Sequence, residues 1–284
     1  MLLQTDVSHF FIFGNPRSGT TLLRLMLNSH EDLCVPPECG FVDWLLEDFK
    51  EVKISEEQYG AFAAAVSKCK KFETWGLATS NIEAALKAMR PTSYRELCFC
   101  VYLAYSKKIG KQSRVLGDKN NYYIKNIAKL DSVFPSSKKL FIVRDGRDVA
   151  CSYLNLASKT STSRYFPQLP SSIPSIAYEW KKNARTAMKY EATAALVVRY
   201  EDLLVNTQAT LEAVCGFLEV RYSNAMMTYN TKNDEPEKFL EWKPALVGPL
   251  KKNNYGQYKT CLTAKQVEDF EDIAGDALAE LGYL

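Results

Sequence analysis

Short apolar runs alternate along this chain with stretches in which apolar residues recur every three or four positions, a pattern that predicts strands exchanging with helices. Four runs dense in Val, Ile, Leu or Phe are too short for helices and are expected as strands: residues 9–14, 114–117, 139–143 and 195–199. Helix ends are marked by local chemistry. Ser93 and Glu96 have the spacing of a capping box, the stripe Tyr94, Leu97, Cys98, Val101, Tyr105 follows, and Lys107, Lys108 and Gly110 close it. Thr263 and Gln266 open a similar helix with Val267, Phe270, Ala274, Leu278 and Leu281 on one face, and Asn206 is placed to cap another carrying Leu211, Val214, Cys215 and Leu218. The expected fold class is α/β, a parallel β-sheet flanked by helices.

Two stretches break this rhythm. Residues 41–112 have mostly helical spacing and lie between the first and second predicted strands as a helical insertion, of a kind that often covers a substrate. Residues 158–175 are rich in Ser, Thr and Pro without periodicity, so they are expected as a surface loop before the helix that contains Trp180; a lid and a plain loop are both open readings. With 284 residues and no internal repeat, the chain is expected as one domain, residues 1–284.

Composition narrows the partners. The 36 basic and 33 acidic residues are scattered and leave a net charge of +3, too weak a field to imply nucleic acid, although small basic clusters can hold a small anion. No apolar run approaches the roughly 20 residues of a membrane span. The start, MLLQTDVSHFF, has no basic n-region or cleavage site, so the expectation is a cytoplasmic protein. Eight cysteines include no CxxC pair and read mostly as buried thiols, Cys34 and Cys39 being able to pair only in an oxidising compartment. With His9 and His30 the only histidines, a catalytic zinc or a histidine triad has few parts, and no metal is expected.

The densest chemistry lies in HFFIFGNPRSGTTLLRLML, a strand, a tight turn and a helix in one span. A turn from Gly14 to Gly19 that opens a helix at Thr20 and Thr21 gathers unpaired N–H groups and the positive end of a helix dipole, where a phosphate or sulfate fits. The glycine spacing matches the start of a P-loop, but Thr20 stands where that motif has lysine, and the cation is Arg17, inside the turn. Arg17 can fork onto two anion oxygens, which a structural turn does not need. A second strand, turn and helix occurs at KKLFIVRDGRDVACSYLNL, with Arg144 at the strand end, Asp145 as the cap and Ser152 two turns into the helix. Taken alone, Arg144 and Arg147 read equally well as ion-pair partners of Asp145 and Asp148.

Together these junctions resemble the sulfotransferases that use 3′-phosphoadenosine 5′-phosphosulfate, and most of all the protein-tyrosine sulfotransferases and the bacterial set with a PRSGTT loop. The resemblance spans both junctions, the RYEDLL stretch and GQYKTCLT with the helix after it, but not residues 41–112. It implies a P-loop-NTPase-like sulfotransferase fold in which Arg17, Ser18, Gly19, Thr20 and Thr21 cradle the 5′-phosphosulfate. Arg144 and Ser152 would hold the 3′-phosphate, and Tyr200 would lie near adenine, its plainer reading being an aromatic at a strand end. Lys251, Lys252 and Lys259 precede the last helix, where the resemblance implies a segment that covers the nucleotide; Lys259 is a candidate contact, the choice among the three stays open, and solvated surface lysines are the default. Glu38, in CVPPE after the apolar segment 33–35, stands at the family's interval from Arg17 for a carboxylate base, its plainer reading being a surface carboxylate. Lys119 in LGDKNN matches an active-site lysine, with a salt bridge to Asp118 the competing explanation.

The chemistry implied is in-line transfer of a sulfuryl group to an acceptor hydroxyl, leaving adenosine 3′,5′-bisphosphate. Glu38 would act as general base, and Arg17, Lys119 and the loop N–H groups would stabilise the developing charge. The acceptor is expected to be a small metabolite or glycan; the alternatives are a protein tyrosine and, further off, a P-loop nucleotide kinase or NTPase. Oligomeric state is not legible.

Overall fold

A computed structural model describes residues 7–50 and 54–284 of the chain. Five strands, β1 (Ser8–Gly14), β2 (Leu33–Cys34), β3 (Val115–Lys119), β4 (Lys138–Val143) and β5 (Leu196–Arg199), lie in a sheet of order β2-β3-β1-β4-β5, and the β1/β3, β2/β3 and β4/β5 pairs are parallel. β1 is buried at every position after Ser8, as befits an unbroken apolar run covered on both faces. The expected α/β class is what the chain adopts.

The chain divides into two compact units. Met1–Ile12, Arg24–Lys138 and Ser223–Tyr229 belong to the first, and Phe13–Leu23, Lys139–Tyr222 and Asn230–Leu284 to the second. In the first unit the stretch between β2 and β3 is helical as expected, and helices Glu56–Lys68, Thr79–Met89 and Tyr94–Lys108 pack in sequence. Their core is aromatic, with Trp75 5.8 Å from Phe41, 5.1 Å from Phe72 and 6.0 Å from Tyr102 between ring centroids. His9 stacks on Phe134 at 4.9 Å and shares a 2.9 Å hydrogen bond with Ser137 Oγ, and burial drives its imidazole down to about 3. It is a neutral core histidine. His30, also buried, accepts from the Asp32 N–H through Nδ1.

In the second unit, helices Gly146–Ala157, Ile173–Glu191 and Ala264–Glu280 close around Val149, Tyr153, Ile176, Trp180, Phe270 and Ala274. The last helix opens with both halves of the expected capping box, Gln266 N–H to Thr263 Oγ1 at 3.2 Å and Thr263 N–H to Gln266 Oε1 at 2.9 Å.

Several local expectations need correction. The run 33–35 supplies β2, so the strand expected at 114–117 is β3, and it runs on to Lys119, which is inside the strand rather than after it. Ser93 accepts from the Glu96 N–H at 3.3 Å, but the Glu96 carboxylate caps Thr92 N–H (2.6 Å) in place of Ser93, because Thr92 also offers its hydroxyl at 3.0 Å. Asn206 makes no side-chain cap to helix Thr207–Leu218, where Thr207 instead donates back to the Leu204 carbonyl at 3.2 Å. Residues 158–172 form the expected loop, but the helix begins at Ile173, with Pro174 in its first turn where a missing N–H costs nothing. The loop is pinned by Tyr165 and Phe166 against Phe239 and Trp242. Among the described residues no helix is long and apolar enough to cross a membrane, and all eight cysteines are free thiols.

Since the capping box satisfies two end groups of the helix that packs most extensively against Ile173–Glu191, Thr263→Ala is expected to lower unfolding stability by about 1 kcal/mol, read in a denaturant titration with unchanged slope.

Candidate active site

Each candidate residue sits at or just past the carboxyl end of a strand: Arg17 after β1, Glu38 after β2, Lys119 closing β3, Arg144 after β4 and Tyr200 after β5. In open α/β sheets ligands bind outside these ends.

In the second unit, β1 reaches Gly14, and the next five residues turn into helix α1 (Thr20–Asn28). A Cβ on Gly14 would stand 2.7 Å from the Ile142 carbonyl oxygen, so this strand end admits only glycine. Gly19 has φ +93°, and a Cβ there would meet the Tyr200 ring at 2.4 Å. Between them Arg17 is itself left-handed, at φ 70°. Asn15 fastens the turn: its Nδ2 donates to Tyr153 Oη at 2.9 Å, its Oδ1 accepts from Asn183 Nδ2 at 2.6 Å, and Tyr153 passes its proton towards Glu179 at 2.8 Å. No acidic residue lies in the first turn of α1, so nothing there competes for an anion.

The second junction meets this turn. Arg17 donates through Nε to Ser152 Oγ at 2.9 Å, and among the described residues its two terminal NH2 groups have no acceptor. Arg144 donates to the Arg17 carbonyl at 3.4 Å, to Asp148 at 3.3 Å and to the Asn254 carbonyl at 3.1 Å, and its guanidinium stacks 4.6 Å above the Tyr200 ring. Burial, and after it the neighbouring Arg144 cation, push the Arg17 guanidinium below its ordinary value. Arg144 Nε and Ser18 Oγ are buried without a hydrogen-bond partner. Such orphans are costly unless a ligand satisfies them.

The ion-pair reading of the second junction holds in part. Arg147 is bound to Asp145 at 2.8 Å and to Glu271 at 2.6 Å and is structural. Asp148, although near Arg144, is mainly the acceptor for Gly256 and Tyr258 N–H groups at 2.8 and 2.9 Å, which draws the segment around Asn254 over Arg144 and Tyr200; Asn254 Nδ2 donates to Tyr200 Oη at 2.8 Å. Lys251, Lys252 and Lys259 are exposed. Lys259 lines a cavity with Glu268, Glu271 and Asp272, and none of the described contacts joins it to Arg144 or Ser152. Asn15, Tyr153, Asn183 and Asn254 were not legible as site residues. Only the asparagine inside GNPRSGTT carried a signal, a polar residue that a strand-to-helix turn does not demand.

In the first unit, the chain after β2 is irregular and bends at Pro37, and side chains hold its carbonyls: Arg24 donates to Val35 O at 3.0 Å, Trp75 Nε1 to Pro37 O at 2.8 Å and Tyr123 Oη to Cys39 O at 3.2 Å. Glu38 is thereby fixed in place. Its Oε2 accepts from Lys119 Nζ at 2.7 Å and its Oε1 from Lys71 Nζ at 2.5 Å. The expected alternative, a bridge from Lys119 to Asp118, is not made. Asp118 instead accepts from Tyr102 Oη at 2.6 Å and Tyr123 Oη at 2.8 Å, and burial raises it to about 7 against the pull of those hydrogen bonds, with the Glu38 charge adding a smaller upward push. Among the described residues no group of three or more His, Cys, Asp or Glu side chains could hold a metal ion.

A parallel α/β sheet whose first strand feeds a glycine-bounded turn and a helix is a frame on which enzymes that handle phosphate or sulfate groups are built. Residues 9–224 match the model of the sulfotransferase family, and the chain belongs to that family. It is 23% identical over 282 residues to protein-tyrosine sulfotransferase 2 of Gallus gallus, covering 96% of this chain and 68% of that protein. It is 26% identical to nodulation protein NoeE of Sinorhizobium fredii, covering 96% of this chain and 65% of that one. Of two further protein-tyrosine sulfotransferases it spans 56% and 51% of the length. The sulfotransferase domain from the curacin biosynthetic pathway has the same fold, with a TM-score of 0.64 at 18% identity and 98% of both chains covered.

Asp118 yields a prediction whose sign is fixed by its raised value. The folded form binds the proton more tightly than the unfolded chain, so this contribution to stability is complete below pH 3.8 and is lost as pH rises through about 7. Thermal unfolding between pH 5 and 8 should show the midpoint falling with pH in the wild type. In Asp118→Asn, which keeps an oxygen for both tyrosines, that part of the slope should vanish, leaving a difference of several degrees at pH 8 at roughly 2–4 °C per kcal/mol.

Proposed function

We propose that the protein transfers a sulfuryl group from 3′-phosphoadenosine 5′-phosphosulfate to an acceptor hydroxyl. The observation that carries this is the meeting of two turns on one cationic cluster, in which Arg17 and Arg144 approach each other and Ser18 Oγ and Arg144 Nε lack partners. A nucleotide with phosphates at two positions fits it. The PRSGTT turn and the first N–H groups of α1 receive the 5′ group, Arg144 and Ser152 the 3′-phosphate, and the Tyr200 ring is placed to flank the base. When bound, the donor supplies an activated sulfuryl group with a phosphate leaving group.

The rest belongs to the chain. Arg17 and the loop N–H groups hold the oxygens on which charge grows, and their orientation is set in advance by the Asn15–Tyr153–Asn183 network. Glu38 accepts the proton of the attacking hydroxyl, and Lys119 keeps its carboxylate oriented while adding positive charge. No residue on this path requires a metal. The acceptor is read as a hydroxyl of a small metabolite or glycan; the likeness to protein-tyrosine sulfotransferase 2 favours a peptide tyrosine as the second reading.

Two measurements test the reading. Adenosine 3′,5′-bisphosphate should raise the unfolding midpoint, by about 2.7 kcal/mol of stabilisation at a hundredfold excess over its Kd, while ADP and ATP do much less. A shift confined to ADP or ATP would favour the kinase alternative. With sulfur-labelled donor and a panel of sugars, phenols and tyrosine peptides, the class that takes up label identifies the acceptor. On that acceptor Glu38→Gln should cut turnover by about 10²-fold or more with bisphosphate stabilisation unchanged, and full activity in this variant would remove Glu38 as the base.

A further inference from the structure

Four described residues other than glycine have left-handed backbones: Arg17, Lys71, Arg90 and Glu219. Arg90 and Glu219 are C-caps of helices, where this conformation is ordinary. Arg17 belongs to the anion turn. Lys71 has no such explanation, because helix Glu56–Lys68 has already ended at Cys69 in an extended conformation. Its φ of 72° lies at the start of a short 3₁₀ turn, Phe72–Trp75, whose Phe72 and Trp75 side chains are buried and whose Thr74 holds the Lys71 carbonyl through both N–H (3.0 Å) and hydroxyl (2.7 Å). Such a backbone is strained in a residue with a Cβ. What the conformation accomplishes is visible at the end of the side chain, where Nζ meets Glu38 Oε1 at 2.5 Å.

From this arrangement we infer that Lys71 is a positioning residue for the proton-accepting carboxylate, closing on one oxygen of Glu38 the clamp that Lys119 closes on the other. One ammonium on each oxygen prevents the carboxylate from rotating about its terminal bond. The two lysines differ in access. The Lys119 side chain is 2% exposed and built into β3, whereas that of Lys71 is 21% exposed on a turn, and so Lys71 is the partner that can be removed without opening the core. On β3 the Asp118 carboxylate also feels the Glu38 charge, and Cys39, next to Glu38 in the chain, is flanked by Lys71, Asp118 and Cys69. Lys71 and Lys119 each set a positive charge against the carboxylate, so removing Lys71 weakens what favours its ionised form. The inference rests on Glu38 being the base of the proposed reaction, but its test does not need the reaction.

The experiment is carbon-13 NMR of the full chain with glutamate labelled at the side-chain carboxyl, the Glu38 resonance being assigned by its loss in Glu38→Gln. It compares wild type, Lys71→Gly and Lys71→Arg across pH. Glycine suits the left-handed backbone, so Lys71→Gly should unfold no earlier than wild type. Its Glu38 signal should titrate about one pH unit higher, and Lys71→Arg should return it towards wild type. An unchanged titration in Lys71→Gly would overturn the inference. Bisphosphate-induced stabilisation, measured on the same three proteins, should be equal in all. If none of the three responds to bisphosphate while the titration shifts as expected, the donor assignment fails and the clamp stands.

Discussion

Folding buries Arg17 and brings Arg144 beside it, and both disfavour the Arg17 charge. Arg17 donates to Ser152 through one nitrogen, and Tyr153 and Tyr200 favour its charge. Arg144 is relieved by Asp148, by the Asn254 carbonyl and by the Tyr200 ring beneath it. The same ring presses on Gly19, so the aromatic that supports the second cation also dictates the residue that lets the anion turn approach. Two partly compensated cations side by side favour a multiply charged anion over a neutral ligand.

The first unit uses carboxylates in two contrasting ways. Asp118 and Glu38 both lie near Lys119, yet Asp118 is buried against two tyrosine hydroxyls that help to build the core, while Glu38 takes both ammonium groups. The difference is one of direction along an extended chain. Successive strand residues point to opposite faces, so Lys119 turns away from its sequence neighbour Asp118 and reaches a residue 81 positions earlier. Backbone conformation is spent in a related way at Lys71, where a left-handed residue carries the cation that meets Glu38.

Much of this was legible in the chain itself. The apolar runs marked four of the strands, and the PRSGTT and RDGRDVACS junctions, read together, pointed to the family to which the chain belongs. These signals are local. A strand that feeds a tight turn and a helix is encoded within about twenty residues, and the N–H groups it exposes follow from helix geometry alone. Tertiary structure alone decided which side chains complete the site. Lys71 lies 33 residues from Glu38, Asn183 lies 168 from Asn15, and Asn254 lies 110 from Arg144, and no periodicity records such distances. The choice between Asp118 and Glu38 as the partner of Lys119 was equally undetermined, because in sequence the nearer carboxylate is the better candidate. The alternating directions of a strand reverse that order, and they act only once β2 and β3 lie side by side.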